Sequence, residues 1–220
     1  MIHPLRLELT NVPSDFIQLL EAPKFPREPS LGTRVLPITS TVYVEQGDFR
    51  EVDEPSFYGL APGKTVGLRY AGYVKVTEVL RGSGGEVVGL RGLYDGTRGE
   101  ALTQGIKGPI KGNLHWVSAS APGGSPVAVE IREYDHLFLG DSPGESGDWE
   151  SELNPLSERI FTGLGEASLA SPGVVTGGSH FQFERVGFYV ADRVDSKDGA
   201  LVFNSTVALK ESTETKKIRS

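Results

Sequence analysis

The chain has 220 residues, a formal net charge of -7 at pH 7 and no cysteine, which excludes disulfide staples, thiolate metal sites and cysteine nucleophiles. Such a length buries one large core or two small ones without cross-links. An acidic balance also argues against generic nucleic-acid binding, which rests on a basic face, so any RNA affinity has to be local and carried by a few cations.

In chain order, short segments with period-2 or β-branched character recur at Leu5-Leu7-Leu9, Val42-Tyr43-Val44, Tyr73 to Leu80, Val127-Val129-Ile131 and Phe188 to Val190. The 28 Gly and 14 Pro punctuate them, and no long run places apolar residues at i, i+3, i+4 and i+7. Helices are therefore expected to be few and short. The clearest hairpin runs from Tyr73 to Leu93 and turns through Arg81-Gly82-Ser83-Gly84-Gly85, residues that tolerate positive φ. So many short strands call for closure, which removes exposed edges, and the expected fold class is all-β with two β-barrels. A junction between them is expected near Lys111 to Ser118, with surface loops at Ala121 to Ser125 and Gly140 to Gly147 and a frayed C-terminal tail.

Several kinds of chemistry are missing. His3, His115, His136 and His180 stand far apart, and none has a partner at metal-ligand spacing, so no metal is expected. The stretch Gly82 to Gly89 lacks the Lys-Ser/Thr pair and following helix of a phosphate loop. No G-x-S-x-G elbow occurs, and the carboxylates single out no acid and base pair. No stretch approaches the roughly 20 apolar residues of a membrane span, and residues 1–10 lack the apolar core of a signal peptide. The absence of cysteine fits a reducing compartment, and the expected location is cytoplasmic.

Nine stretches, in order along nearly the whole chain, carry a family resemblance: IHPLRLELTN, FPREPSLGTRVLPIT, VYVEQGDFRE, LAPGKTVGLRYAGYVK, KGNLHWVSA, VEIREYDHLF, LNPLS, FQFERVGFYVAD and VFNSTVALKES. Together they resemble the C-terminal anticodon-binding region of glutaminyl-tRNA synthetases, which are class I aminoacyl-tRNA synthetases. The resemblance implies two stacked β-barrels that grip the anticodon arm of tRNA-Gln, while a separate catalytic region activates glutamine with ATP. It further implies a proximal barrel from residues 1–33 and 115–215, a distal barrel from 34–114 and a tail at 216–220. The HIGH and KMSKS-like motifs of the catalytic region are absent, so this chain is expected to have no catalytic residues and no cofactor of its own. The implied partners are the tRNA anticodon arm and the synthetase catalytic domain, with no metal and no membrane.

Single-stranded loops expose their base edges to proteins, and an anticodon suits that mode. The family motif matching Gln182-Phe183-Glu184-Arg185 contributes anticodon recognition: an amide, a carboxylate and a planar guanidinium fork. If all four residues lay on one strand, alternation would send Gln182 and Glu184 to one face and Phe183 and Arg185 to the other. Arg69 matches the second arginine of a family V-R-L-R stretch, and Lys111 matches a family lysine and is a candidate to meet a phosphate. His115 and Trp116 read as barrel core. Gly59, Gly67, His136 and Ser205 stand where the family commonly has cations. Those departures motivate an alternative reading: a free-standing relative that scaffolds proteins or binds another structured RNA.

Overall fold

The computed structural model describes residues 1–96, 110, 112–120, 126–145, 147–171, 173 and 175–209. Lys111, the expected loop at Ala121 to Ser125 and the tail at 216–220 lie outside the described residues. Helix is confined, among the described residues, to four single 3-10 turns at Pro29–Leu31, Gln46–Asp48, Trp149–Glu152 and Ala167–Ala170. The fold is all-β.

Contact density divides the chain into two units, Met1–Val127 with Leu164–Ser171, and Ala128–Gly163 with Pro172–Ser220. The first carries β1 (Pro4–Leu9), β2 (Ile17–Pro23), β3 (Thr33–Thr39), β4 (Thr41–Glu45) and β5 (Thr65–Leu68). It continues with β6 (Gly72–Arg81), β7 (Val87–Asp95), β8 (Asn113–Leu114) and β9 (Trp116–Ser118). The remaining strands are β10 (Val127–Tyr134), β11 (Glu158–Gly165), β12 (His180–Phe183), β13 (Gly187–Ala191) and β14 (Leu201–Ala208).

In the first unit, β2 and β3 form a separate antiparallel ribbon, and seven strands pair in the order β8-β5-β6-β7-β1-β4-β9. The leucines of β1 and the valines of β4 alternate inward, so Leu5, Leu7, Leu9, Val42 and Val44 are all buried. Each such side chain contributes about 1.5–3 kcal/mol when fully withdrawn from water. The hairpin β6–β7 turns where the sequence indicates: the Gly82 amide donates to the Glu86 carbonyl at 2.9 Å, and Gly85 takes φ +87.

The seven-stranded sheet is nearly closed, and one short segment closes it. β8 pairs parallel with β5, and β9 pairs antiparallel with β4, so residues 113–118 supply both end strands of the sheet. The segment read from sequence as a junction between barrels thus seals this one. Strand β1 bonds to both β4 and β7, which ties residues 4–9 into the seven-stranded sheet of the first unit. Trp116, only 4% exposed, donates its indole N–H to the Arg69 carbonyl at 2.8 Å.

Against this seam lies a half-buried ion pair, in which Arg34 on β3 grips Glu166 with Nε–Oε2 at 2.7 Å and Nη2–Oε1 at 3.0 Å. Burial alone would raise the Glu166 carboxyl, but the Arg34 hydrogen bonds and charge outweigh it and hold it below the usual carboxylate range. Burial pushes the His115 imidazole down to about 4; Arg34 and Arg69 act in the same direction, and Glu166 opposes them.

The second unit is a five-stranded sheet in the order β11-β10-β14-β13-β12. Its buried residues include Val129, Ile131, Ala191, Leu201 and Val202 together with an aromatic cluster. The Phe183 ring stacks on Tyr189 with centroids 4.2 Å apart, and Phe203 meets Phe181 at 5.4 Å and Phe183 at 5.3 Å. Tyr189 satisfies its hydroxyl by donating to Glu133 Oε1 at 3.1 Å. Gly187 faces Phe183 across the ladder, and a Cβ there would sit 2.9 Å from the Val207 carbonyl oxygen.

Two outcomes are expected. Phe203→Ala lowers unfolding free energy in urea by about 3–5 kcal/mol, the cost of emptying a fully buried aromatic site. As for pH, His115 is neutral when folded and takes up a proton on unfolding, so the unfolded state binds more protons between about 4 and 6.5. Stability is lost as pH falls across that window, and His115→Gln removes up to about 3 kcal/mol of that slope in denaturation series. The Glu166 contribution, by its lowered pKa, is lost only below about 4.5.

Candidate RNA-binding surface

Strand β12 alternates as its sequence dictates: His180 and Gln182 are exposed, while Phe181 and Phe183 turn toward the core. The strand ends at Phe183. Glu184, Arg185 and Val186 form the turn into β13, closed by the Val186 amide donating to the Phe183 carbonyl at 3.0 Å. The expectation that alternation carries Arg185 to the inner face is corrected here. Arg185 is exposed at the tip of the hairpin, with φ +68. A non-glycine residue held there costs about 1–2 kcal/mol, because its Cβ crowds the following carbonyl. The paired register of β12 and β13 supports that conformation at the hairpin tip.

Gln182, Glu184 and Arg185 are therefore brought together on one hairpin of the second unit. Arg69 belongs to the first unit, just past the end of β5. Its amide donates to the Leu114 carbonyl at 2.9 Å, and its guanidinium lies 5.2 Å from the Tyr70 ring centroid. Among the described residues, Tyr70 is the other non-glycine residue with positive φ, at +66. Backbone strain among the described residues thus falls at or beside two candidate arginines.

Two of the positions where the family commonly has cations, Gly59 and Gly67, have a local steric explanation. At Gly59 a Cβ would meet the Asp48 carbonyl oxygen at 2.3 Å and the Phe57 ring at 2.4 Å, so no longer side chain fits without rebuilding the loop. At Gly67 a Cβ would sit 2.9 Å from Asn113 Oδ1 on the adjoining β8. Phe57 instead gathers Arg50 and Lys64, 4.4 Å and 5.4 Å from its centroid. Both cations are neutralised nearby, Arg50 by Glu54 at 2.7 Å and Lys64 by Asp53 at 2.6 Å. His136 is exposed, and the Ser205 hydroxyl accepts from the Tyr134 amide at 3.3 Å.

Sequence reasoning missed the third member of the outer row on this hairpin. Gln182 pairs directly with Phe188, and Phe188 pairs with Val207 of β14. Phe188 is 43% exposed and Val207 62%, whereas the adjacent Tyr189 is 3% exposed. Which of two consecutive aromatics faces outward depends on register, and the signal was the spacing of Gln182 and Phe188 about one turn. Among the described residues no three His, Asp or Glu side chains gather as a metal site, and no helix is long and apolar enough to cross a membrane.

Comparison with known proteins gives this hairpin a context. Residues 1–95 match one family profile described as the anti-codon binding domain of class I tRNA synthetases (E and Q), and residues 113–192 match a second profile of the same description. Over 218 residues the chain is 39% identical to the cytoplasmic glutamine-tRNA ligase of Arabidopsis thaliana, covering 96% of this chain and 26% of that protein. It is 37% identical to the glutamine-tRNA ligase of Nitrosomonas europaea, covering 96% and 37% of the two chains. With the glutamine-tRNA ligase of Nitrobacter hamburgensis it shares 41% identity, over 96% and 36%. The chain thus spans about a quarter to just over a third of the length of these relatives. Two family matches covering both halves of the chain, on an all-β fold, place it in the family of anticodon-binding domains of the class I tRNA synthetases for E and Q.

Proposed function

We propose that this chain is the anticodon-binding module of a glutamine-tRNA ligase, holding the anticodon loop of tRNA-Gln while a catalytic domain outside these residues charges the tRNA. The observation that carries this reading is the hairpin: an outward amide at Gln182 with a carboxylate and a guanidinium at its tip. An amide both donates and accepts, and so matches a base edge, whereas a carboxylate accepts only. The exposed Arg185 fork suits a base edge or a phosphate. Arg69 and Lys111 add charge to the RNA backbone. The cytoplasm is the proposed location, in keeping with the name of the Arabidopsis relative. ATP belongs to the catalytic domain.

The second reading, a scaffold or a binder of a different structured RNA, draws on the filled space at Gly59 and the locally neutralised Arg50 and Lys64. The two readings separate in one binding series. With a glutamine tRNA transcript, Gln182→Ala reduces discrimination against a changed anticodon base by about 1–3 kcal/mol. Lys111→Ala weakens all sequences alike and lowers the slope of log affinity against log salt by about one. Equal affinity of the unaltered chain for cognate and anticodon-swapped tRNA contradicts anticodon reading and favours the scaffold.

A further inference from the structure

Four of the five aromatic side chains on strands β12 to β14 pack into the core, and one does not. Phe181, Phe183, Tyr189 and Phe203 contact one another, while Phe188 stands on the opposite face, 43% exposed. A phenylalanine has no polar tip, so its outward position serves no hydrogen bond. Directly across the ladder lies the exposed Gln182. Paired antiparallel residues hold their Cβ atoms about 4.5–5.5 Å apart on the same face. A planar group lying on the Phe188 ring would present its edge to the Gln182 amide.

We infer that Phe188 is a stacking platform for an unpaired nucleobase whose edge Gln182 reads. The inference rests on the anticodon-binding proposal and deepens it, since it supplies the apolar half of the subsite. Unstacked bases in RNA loops are held by aromatic faces and read at their edges, and stacking accepts any base whereas the edge contact discriminates. Phe188 is then a source of affinity and Gln182 a source of specificity. Val207 extends the apolar row on the far side of the ring, where a ribose would lie. Arg185, at the turn that joins the two strands, brings positive charge to the same end of the hairpin.

The test uses the full 220-residue chain and three anticodon stem-loop RNAs of glutamine tRNA: native, altered at the middle anticodon base, and abasic at that position. Phe188→Ala is expected to weaken the native stem-loop by roughly 5- to 100-fold, as loss of one base stack does. Phe188→Trp retains binding, because it keeps a π-face. On the abasic RNA, unaltered chain and Phe188→Ala bind alike, since the group that the ring holds is gone. Thermal melting of each variant controls for fold, and an exposed position is expected to leave it intact. If the unaltered chain discriminates between native and abasic loops but Phe188→Ala binds both as the unaltered chain does, the stacking inference fails while anticodon reading stands. A Phe188→Ala loss of equal size on native and abasic loops also overturns it, and points to a contact with the RNA backbone. If the unaltered chain binds all three RNAs equally, anticodon reading and this inference fail together.

Discussion

The register of the β12–β13 hairpin is fixed by an aromatic cluster, and everything proposed for the RNA-facing surface depends on that register. In a strand the side chains alternate with period two, so a slip of one residue would exchange the faces of Phe183 and Gln182. Phe181, Phe183, Tyr189 and Phe203 prevent it, because only this pairing buries all four rings against one another. Gly187 completes the constraint: its missing side chain lets β13 approach the Val207 carbonyl of β14, where a Cβ would sit 2.9 Å away. The inner face thereby fixes which residues face outward, Gln182, Phe188 and Val207 among them.

The first unit solves a different problem. The five strands β5-β6-β7-β1-β4 alone would leave two edges, and residues 113–118 cover both by pairing first with β5 and then with β4. His115 stands where the chain changes partner, and burial there pushes its imidazole pKa down. The Trp116 indole bonds to the carbonyl of Arg69, so the end of β5 is anchored by the same closure. A candidate RNA contact is thus tied to the barrel seam by one buried hydrogen bond and one backbone bond.

Much of this architecture was legible in the sequence, for physical reasons. Period-2 segments such as Leu5-Leu7-Leu9 appear as strands because burial on one face dictates them, and the Arg81 to Gly85 turn is marked by residues that accept positive φ. The family membership came from collinear fragments, none decisive alone. What escaped was long-range pairing. Nothing local indicates that residues 113–118 close a sheet, or that β1 joins β4 and β7, because those bonds link positions distant in sequence. The turn at Glu184-Arg185 was misread as strand because arginine carries no turn signal; tertiary pairing imposes its positive φ. Phe188 was missed because its exposure depends on which of two adjacent aromatics the core accepts.

The acidic net charge and a base-reading role are compatible when affinity is concentrated on one hairpin rather than spread over a basic face. Many surface arginines here are occupied by carboxylates, as Arg91 is by Glu8 and Glu78 and Arg132 by Glu130 and Asp195. The most direct measurement is an NMR titration of the isotopically labelled chain with the cognate anticodon stem-loop and with one altered at the middle anticodon base. We expect the cognate RNA to shift the Gln182 side-chain amide and the Phe188 ring and backbone signals, and the altered RNA to shift them far less. Shifts confined to other strands, or identical for the two RNAs, would contradict a base-reading hairpin.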